Sequence, residues 1–168
     1  MKHTFICCVL FFILFNISDL SAQTTPPCAS AECKQFDFWV GDWQLNYKDT
    51  MNATNTITKD MDGCVIHEHF NDPANKYKGE SWSVYNPKID KWQQTWVDNT
   101  AGYITLTGEF KDGTMTLYTE PMTVNNVTTQ YRMLYHNITP VSFDWDWDIS
   151  TDAGKTWLSK WHISYKRK

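Results

Sequence analysis

The chain has 168 residues, 15 Lys+Arg against 19 Asp+Glu for a net charge of −4, and 15% aromatic residues. The mild acidic excess excludes a nucleic-acid partner: phosphate contacts need clustered Lys or Arg, and Lys166-Arg167-Lys168 is too short a tail to supply them. The aromatic load excludes a disordered chain, and the length suits one domain, not a two-domain enzyme with its own cofactor domain.

Met1-Lys2-His3 is a short basic start, Phe5 to Leu14 is an unbroken apolar run, and Ser21-Ala22 supplies small residues before a polar stretch. That layout predicts a secretory signal peptide over residues 1–22. The run is too short for a membrane span, so the mature protein is expected to be secreted or periplasmic without stable membrane insertion. The remaining 146 residues keep all nine Trp, all eight Tyr and five of the nine Phe. Residues 23–29 read as a flexible leader and 30–168 as the domain. Cys28, Cys33 and Cys64 are left, an odd number in an exported chain, which predicts one disulfide and one free thiol. Cys28–Cys64, Cys33–Cys64 and Cys28–Cys33 all remain open, the last closing only a short loop.

Ser30 to Phe36 is expected to form a short helix with Ser30 as its N-cap. From there the hydrophobic period becomes two, and turn residues separate the segments. Ten strands are predicted: 39–48, 55–59, 64–70, 79–85, 91–97, 102–110, 114–119, 127–136, 141–149 and 156–166. Tight links such as Asp62-Gly63, Asn86-Pro87 and Asp112-Gly113 predict antiparallel neighbours in a meander. In the clearest strand, Phe143, Trp145, Trp147 and Ile149 share one face. Asp144, Asp146 and Asp148 share the other, read as a solvated face and not a calcium site. The fold expected is an all-β, antiparallel up-and-down barrel of about 8–10 strands, because closure removes exposed edges. A barrel of that size can hold one small ligand.

Phe36-Asp37-Phe38-Trp39-Val40-Gly41-Asp42-Trp43 resembles the opening of an uncharacterised, mostly bacterial family of small proteins with a calycin-like, lipocalin-like barrel. The likeness continues at Asp62-Gly63-Cys64-Val65-Ile66, at Trp92 to Asn99 and at Ser150 to Trp157, and so spans about residues 28–166. It implies a lipocalin-like fold and brings no settled activity. It also implies a Cys28–Cys64 disulfide, since members carry a cysteine before the aromatic opening and another after the second-strand turn. Gly41-Asp42-Trp43 is similar to the G-x-W signature of lipocalins, where the Trp closes one barrel end beneath a basic residue of the last strand. The likeness implies structural roles for Gly41 and Trp43, with Arg167 or Lys166 as the partner. Ser150 to Trp157 resembles an Asp-box, but one copy cannot build a propeller, so it is read as a turn with Trp157 folded back on the hairpin.

The function expected is binding of a small hydrophobic or amphipathic molecule, without a cofactor, in an aromatic-lined lumen. Trp39, Trp82, Trp92, Trp96, Trp145 and Trp147 are the expected lining, with Trp161 at the same alternation. Arg132, His67, His69 and Gln94 are the expected polar anchors. His67-Glu68-His69 places two imidazoles on one face of a strand, a metal-ligand geometry to which His136 or His162 could add a third nitrogen. No third ligand follows at a diagnostic spacing, so the pair is assigned to ligand anchoring. The alternative expectation is a lipocalin-like isomerase, cyclase or hydrolase using a lumen His or Asp, or a His-ligated metal or haem barrel. There is no G-x-S-x-G and no phosphate loop to support catalysis.

Overall fold

The computed structural model describes residues 27–47 and 50–168; the segment expected to be a signal peptide and the start of the expected leader lie outside the described residues. The period-two segments form β1 (Gly41–Tyr47), β2 (Thr50–Asp60), β3 (Val65–Asp72), β4 (Tyr77–Asn86), β5 (Lys91–Asp98), β6 (Tyr103–Lys111) and β7 (Thr114–Tyr118). They continue with β8 (Met122–Val124), β9 (Val127–His136), β10 (Ser142–Ser150) and β11 (Leu158–Arg167). Every pairing is antiparallel; β1 pairs with β11 and β9 with β10, which closes a ten-strand barrel. The architecture agrees with the lipocalin-like barrel expected.

Strand β8 was not foreseen. It stands outside the ring as a short hairpin on the start of β9, and three exposed residues after Pro121 carry too little alternation to announce it. Among the described residues no helix is long and apolar enough to cross a membrane.

The expected N-terminal helix is replaced by two one-turn 3-10 segments, Glu32–Lys34 and Asp37–Trp39. Ser30 caps neither; its hydroxyl meets Cys33 Sγ at 3.5 Å. Three residues per turn put Cys33, Phe36 and Trp39 on one side, so all three bury together where an α-helix would splay them. These segments plug the closed end of the barrel. Phe36 packs on Trp92 at 4.8 Å and on Tyr135 at 5.3 Å, and Trp39 on Tyr135 at 5.1 Å.

Trp43 lies beneath the plug with no exposed surface and donates its indole N–H to the Trp39 carbonyl at 2.7 Å. Arg167 covers it, guanidinium carbon 4.2 Å from the ring centroid, a cation–π contact worth about 0.5–2 kcal/mol. The same guanidinium donates to the carbonyls of Val40 at 3.0 Å, Phe38 at 3.2 Å and Pro140 at 2.9 Å, latching the plug to the last strand. Gly41 makes this possible: its φ is +133°, and a Cβ there would stand 2.2 Å from Arg167 Nη1.

Cys28 and Cys64 are bonded across 36 residues, as the family resemblance implied, and Cys33 is a buried free thiol. The loop-closure relation puts such a bridge at about 3–4 kcal/mol. Asp144, Asp146 and Asp148 do face outward but are not simply solvated. Their side chains are 25%, 20% and 8% exposed and pair with His162, His136 and Arg132. The Asp-box segment is a turn: Asp152 accepts the backbone N–H of Thr156 at 2.9 Å, and Trp157 folds back to donate to the Gly154 carbonyl at 3.2 Å.

Candidate functional site

The plug fills one half of the barrel with rings and leaves the other half open. The open half holds a cavity of about 190 Å³. Its walls are indoles and phenols from alternate positions of separate strands. Trp96 comes from β5, Trp145 and Trp147 from β10, Trp161 from β11, and Tyr77, Phe70 and Met133 complete the sides. Trp145 and Trp147 are parallel with centroids 6.5 Å apart, Trp161 meets Trp145 edge-on at 5.6 Å, and Tyr131 backs Trp147 at 5.1 Å. Small residues on β4 make the room. A Cβ at Gly79 would stand 2.2 Å from the Trp96 indole, so only glycine leaves room for that ring.

Carboxylates hold the rim. Asp98 accepts the Trp96 indole N–H and the Tyr77 hydroxyl, each at 3.0 Å, and the backbone N–H of Gly102 at 3.0 Å. Burial pushes Asp98 upward, but the donors from Thr100, Trp96 and Gly102 outweigh it and hold the group well below the usual carboxylate range. Burial, helped by Asp98, pushes Tyr77 up to about 12. Across the mouth, Tyr47 donates to Asp72, which also accepts from Asn75 at 2.7 Å.

The floor is Glu68. It projects inward from β3 between Ile66 and Phe70 and is 6% exposed. Asn55 donates to its Oε1 at 2.7 Å and Ser81 to its Oε2 at 2.5 Å. Gln94 supports Ser81 and Ser83 from beneath, at 3.2 and 3.0 Å. Burial pushes the Glu68 carboxyl from 4.5 up to about 7, against the pull of those hydrogen bonds and of the nearby His67. Burial and the Glu68 charge keep the Tyr135 and Tyr165 hydroxyls well above their ordinary range, so near neutrality both act only as neutral hydrogen-bonding groups. Among the described residues, no Lys, Arg or His lines the cavity. Glu68 is therefore a buried acid whose hydrogen bonds among the described residues come from neutral donors, Asn55 and Ser81.

The expected site residues divide into three groups. Trp96, Trp145 and Trp147 line the cavity. Trp39 and Trp92 belong to the packed closed end, and Gln94 sits under the floor, 2% exposed. His67, His69, Trp82 and Arg132 face outward. The parity of β3 puts Ile66, Glu68 and Phe70 inside, so both imidazoles point away from the lumen, and Trp82, paired with His67, goes with them. Arg132 bonds Asp148 through Nε at 2.9 Å and lies 4.4 Å from the Trp157 ring centroid, outside the barrel.

His136 and His162 are outside the opposite wall, sharing Asp146 at 2.6 and 2.7 Å, so among the described residues no three histidines converge in the lumen. The enzymatic and haem expectations placed a His or Asp in the lumen; among the described residues neither lines the cavity. Glu68, Tyr135, Tyr165 and Met133 were missed. The available signal was Ile66-x-Glu68-x-Phe70, an apolar face that carries the carboxylate in with it.

Compared with known proteins, the chain matches no family model and no curated sequence.

Proposed function

We propose that this protein is an exported barrel of the family its aromatic opening resembles, and that it binds a small amphipathic molecule in the lumen. The body of the ligand is one or two flat rings between Trp96, Trp145, Trp147 and Trp161. Its polar end is a hydrogen-bond donor resting on Glu68. One observation carries the proposal: a buried carboxyl at the floor of a mostly aromatic cavity whose described lining holds no cationic side chain. An acceptor in dry surroundings is costly unless something donates to it, and a protonated amine supplies both the donor and the missing charge. Indole and phenol walls also favour a cation. The size fits, since an apolar cavity of roughly 150 Å³ already takes benzene. The Cys28–Cys64 bridge supports export, because such bonds persist in oxidising compartments.

Titration of intrinsic Trp fluorescence with phenethylamine, 2-phenylethanol and 3-phenylpropionate tests this. The amine should bind tightest and the carboxylate weakest, and Glu68→Gln should remove the preference for the amine. No quenching by any of the three, or the same order in Glu68→Gln, would refute it.

A further inference from the structure

Outside the barrel, His67 and His69 stand two residues apart on the outer face of β3, ring centroids 4.0 Å apart. Glu80 lies directly across from His69 on β4. Its carboxylate reaches both rings: Oε2 is 3.2 Å from His67 Nε2 and Oε1 is 3.5 Å from His69 Nδ1. The three donor atoms lie within 4.8 Å of one another. We propose that His67 Nε2, His69 Nδ1 and the Glu80 carboxylate form a binding site for a divalent transition-metal ion of the zinc class.

The spacing is close to what the ion needs. Donors held 2.0–2.1 Å from a tetrahedral zinc stand roughly 3.3 Å apart; each imidazole has one Glu80 oxygen near that distance, and the three ligand atoms, within 4.8 Å of one another, need only draw in slightly around an ion. Two imidazoles and one carboxylate are a borderline nitrogen–oxygen set that selects zinc-like ions over calcium or magnesium. A second layer holds the first in place. Asp60 Oδ2 lies 3.3 Å from His67 Nδ1, so it can accept that N–H and leave Nε2 free to coordinate. Trp82 stacks on the His67 ring at 4.8 Å with planes 21° apart, fixing its orientation. The His67 side chain is 16% exposed, while His69 and Glu80 are 44% and 47% exposed, so an ion can enter from solvent and keep a water as its fourth ligand. Such an ion would tie β3 to β4 on the wall opposite the His136–Asp146–His162 cluster.

Isothermal titration of the untagged protein with Zn²⁺ alone is the test. One equivalent should bind. His69→Ala and Glu80→Gln should each weaken it by roughly tenfold or more, and Asp60→Asn by a smaller factor. His136→Ala and His162→Ala should leave the affinity unchanged. All five substitutions are on the outer wall, and far-UV circular dichroism would verify their folding. Absence of binding to the wild-type protein, or binding that survives in folded His69→Ala and Glu80→Gln, would overturn the proposal.

Discussion

Trp43→Ala should lower the unfolding free energy by about 3–5 kcal/mol in a urea titration, the range for removing a buried Trp or Phe from a core. Against a typical total of about 5–15 kcal/mol this is a large share. It corresponds to a fall in melting temperature of roughly 6–20 °C for a chain of this size. The substitution removes more than area. It empties the space beneath the plug and the edge-on contact with Phe143 at 4.9 Å, and it leaves the Trp39 carbonyl without its donor. It also takes away the ring beneath Arg167, which then holds only the three carbonyls. Trp43→Phe should cost less because it keeps a ring for Arg167 and Phe143. A loss below about 1 kcal/mol for the alanine variant would mean that the closed end does not depend on this indole.

Glu68→Gln should stabilise the protein relative to wild type increasingly as pH rises from about 4.5 to about 7, and by a constant amount above that. The sign follows from the raised carboxyl. Below 4.5 Glu68 is protonated in both the folded and the unfolded chain, so its protonation costs nothing. Between 4.5 and 7 the unfolded chain releases the proton while the fold retains it, and unfolding gains ground. Above about 7 the folded protein carries the buried charge, and the loss is complete at about 3 kcal/mol on the scale of 1.36 kcal/mol per pKa unit. Glutamine has no proton to release, so it escapes this loss. Comparing the two proteins at each pH cancels every other titrating group, including the downshifted Asp98, Asp144 and Asp152, whose contributions run the opposite way. Urea melts at pH 4.5, 6 and 8 in the presence of a chelator would measure the difference. A gap that stays level across that range would show that Glu68 titrates as an ordinary surface carboxylate.

The barrel was readable because most strands obey a period of two strict enough to fix their inward faces. Phe143 and Trp145 are buried between the partly exposed Asp144 and Asp146, as that alternation expects; past the irregularity at Trp147/Asp148 the burial reverses, with Asp148 buried and Ile149 only half-buried. Strands β3 and β4 broke the rule for a physical reason. On β3 both faces mix apolar and titratable residues, so parity had no clear winner, and a general preference for exposed carboxylates pointed the wrong way. The inward face was set by Ile66 and Phe70, which bury more apolar surface than Val65 with two imidazoles can. On β4 the inward residues are Gly79, Ser81 and Ser83, small because the Trp96 indole and the Glu68 carboxyl occupy the space above them, while Trp82 is turned out. A sequence pattern that equates large aromatic with inside inverts such a strand.

Height along the barrel axis was equally hidden. Trp92 and Trp96 share a face of β5, yet one packs under the plug and the other walls the cavity. Only the placement of Phe36 and Trp39 distinguishes them. The partners of Arg132 and His136, aspartates 16 and 10 residues away, depend on the β9–β10 register, which no local pattern states.

A crystal structure of the protein grown with phenethylamine tests the central claim most directly. The proposed function predicts density for one ring between Trp145 and Trp161, with the ammonium within hydrogen-bond distance of Glu68. An empty lumen, or an amine bound only on the outer surface, would contradict it.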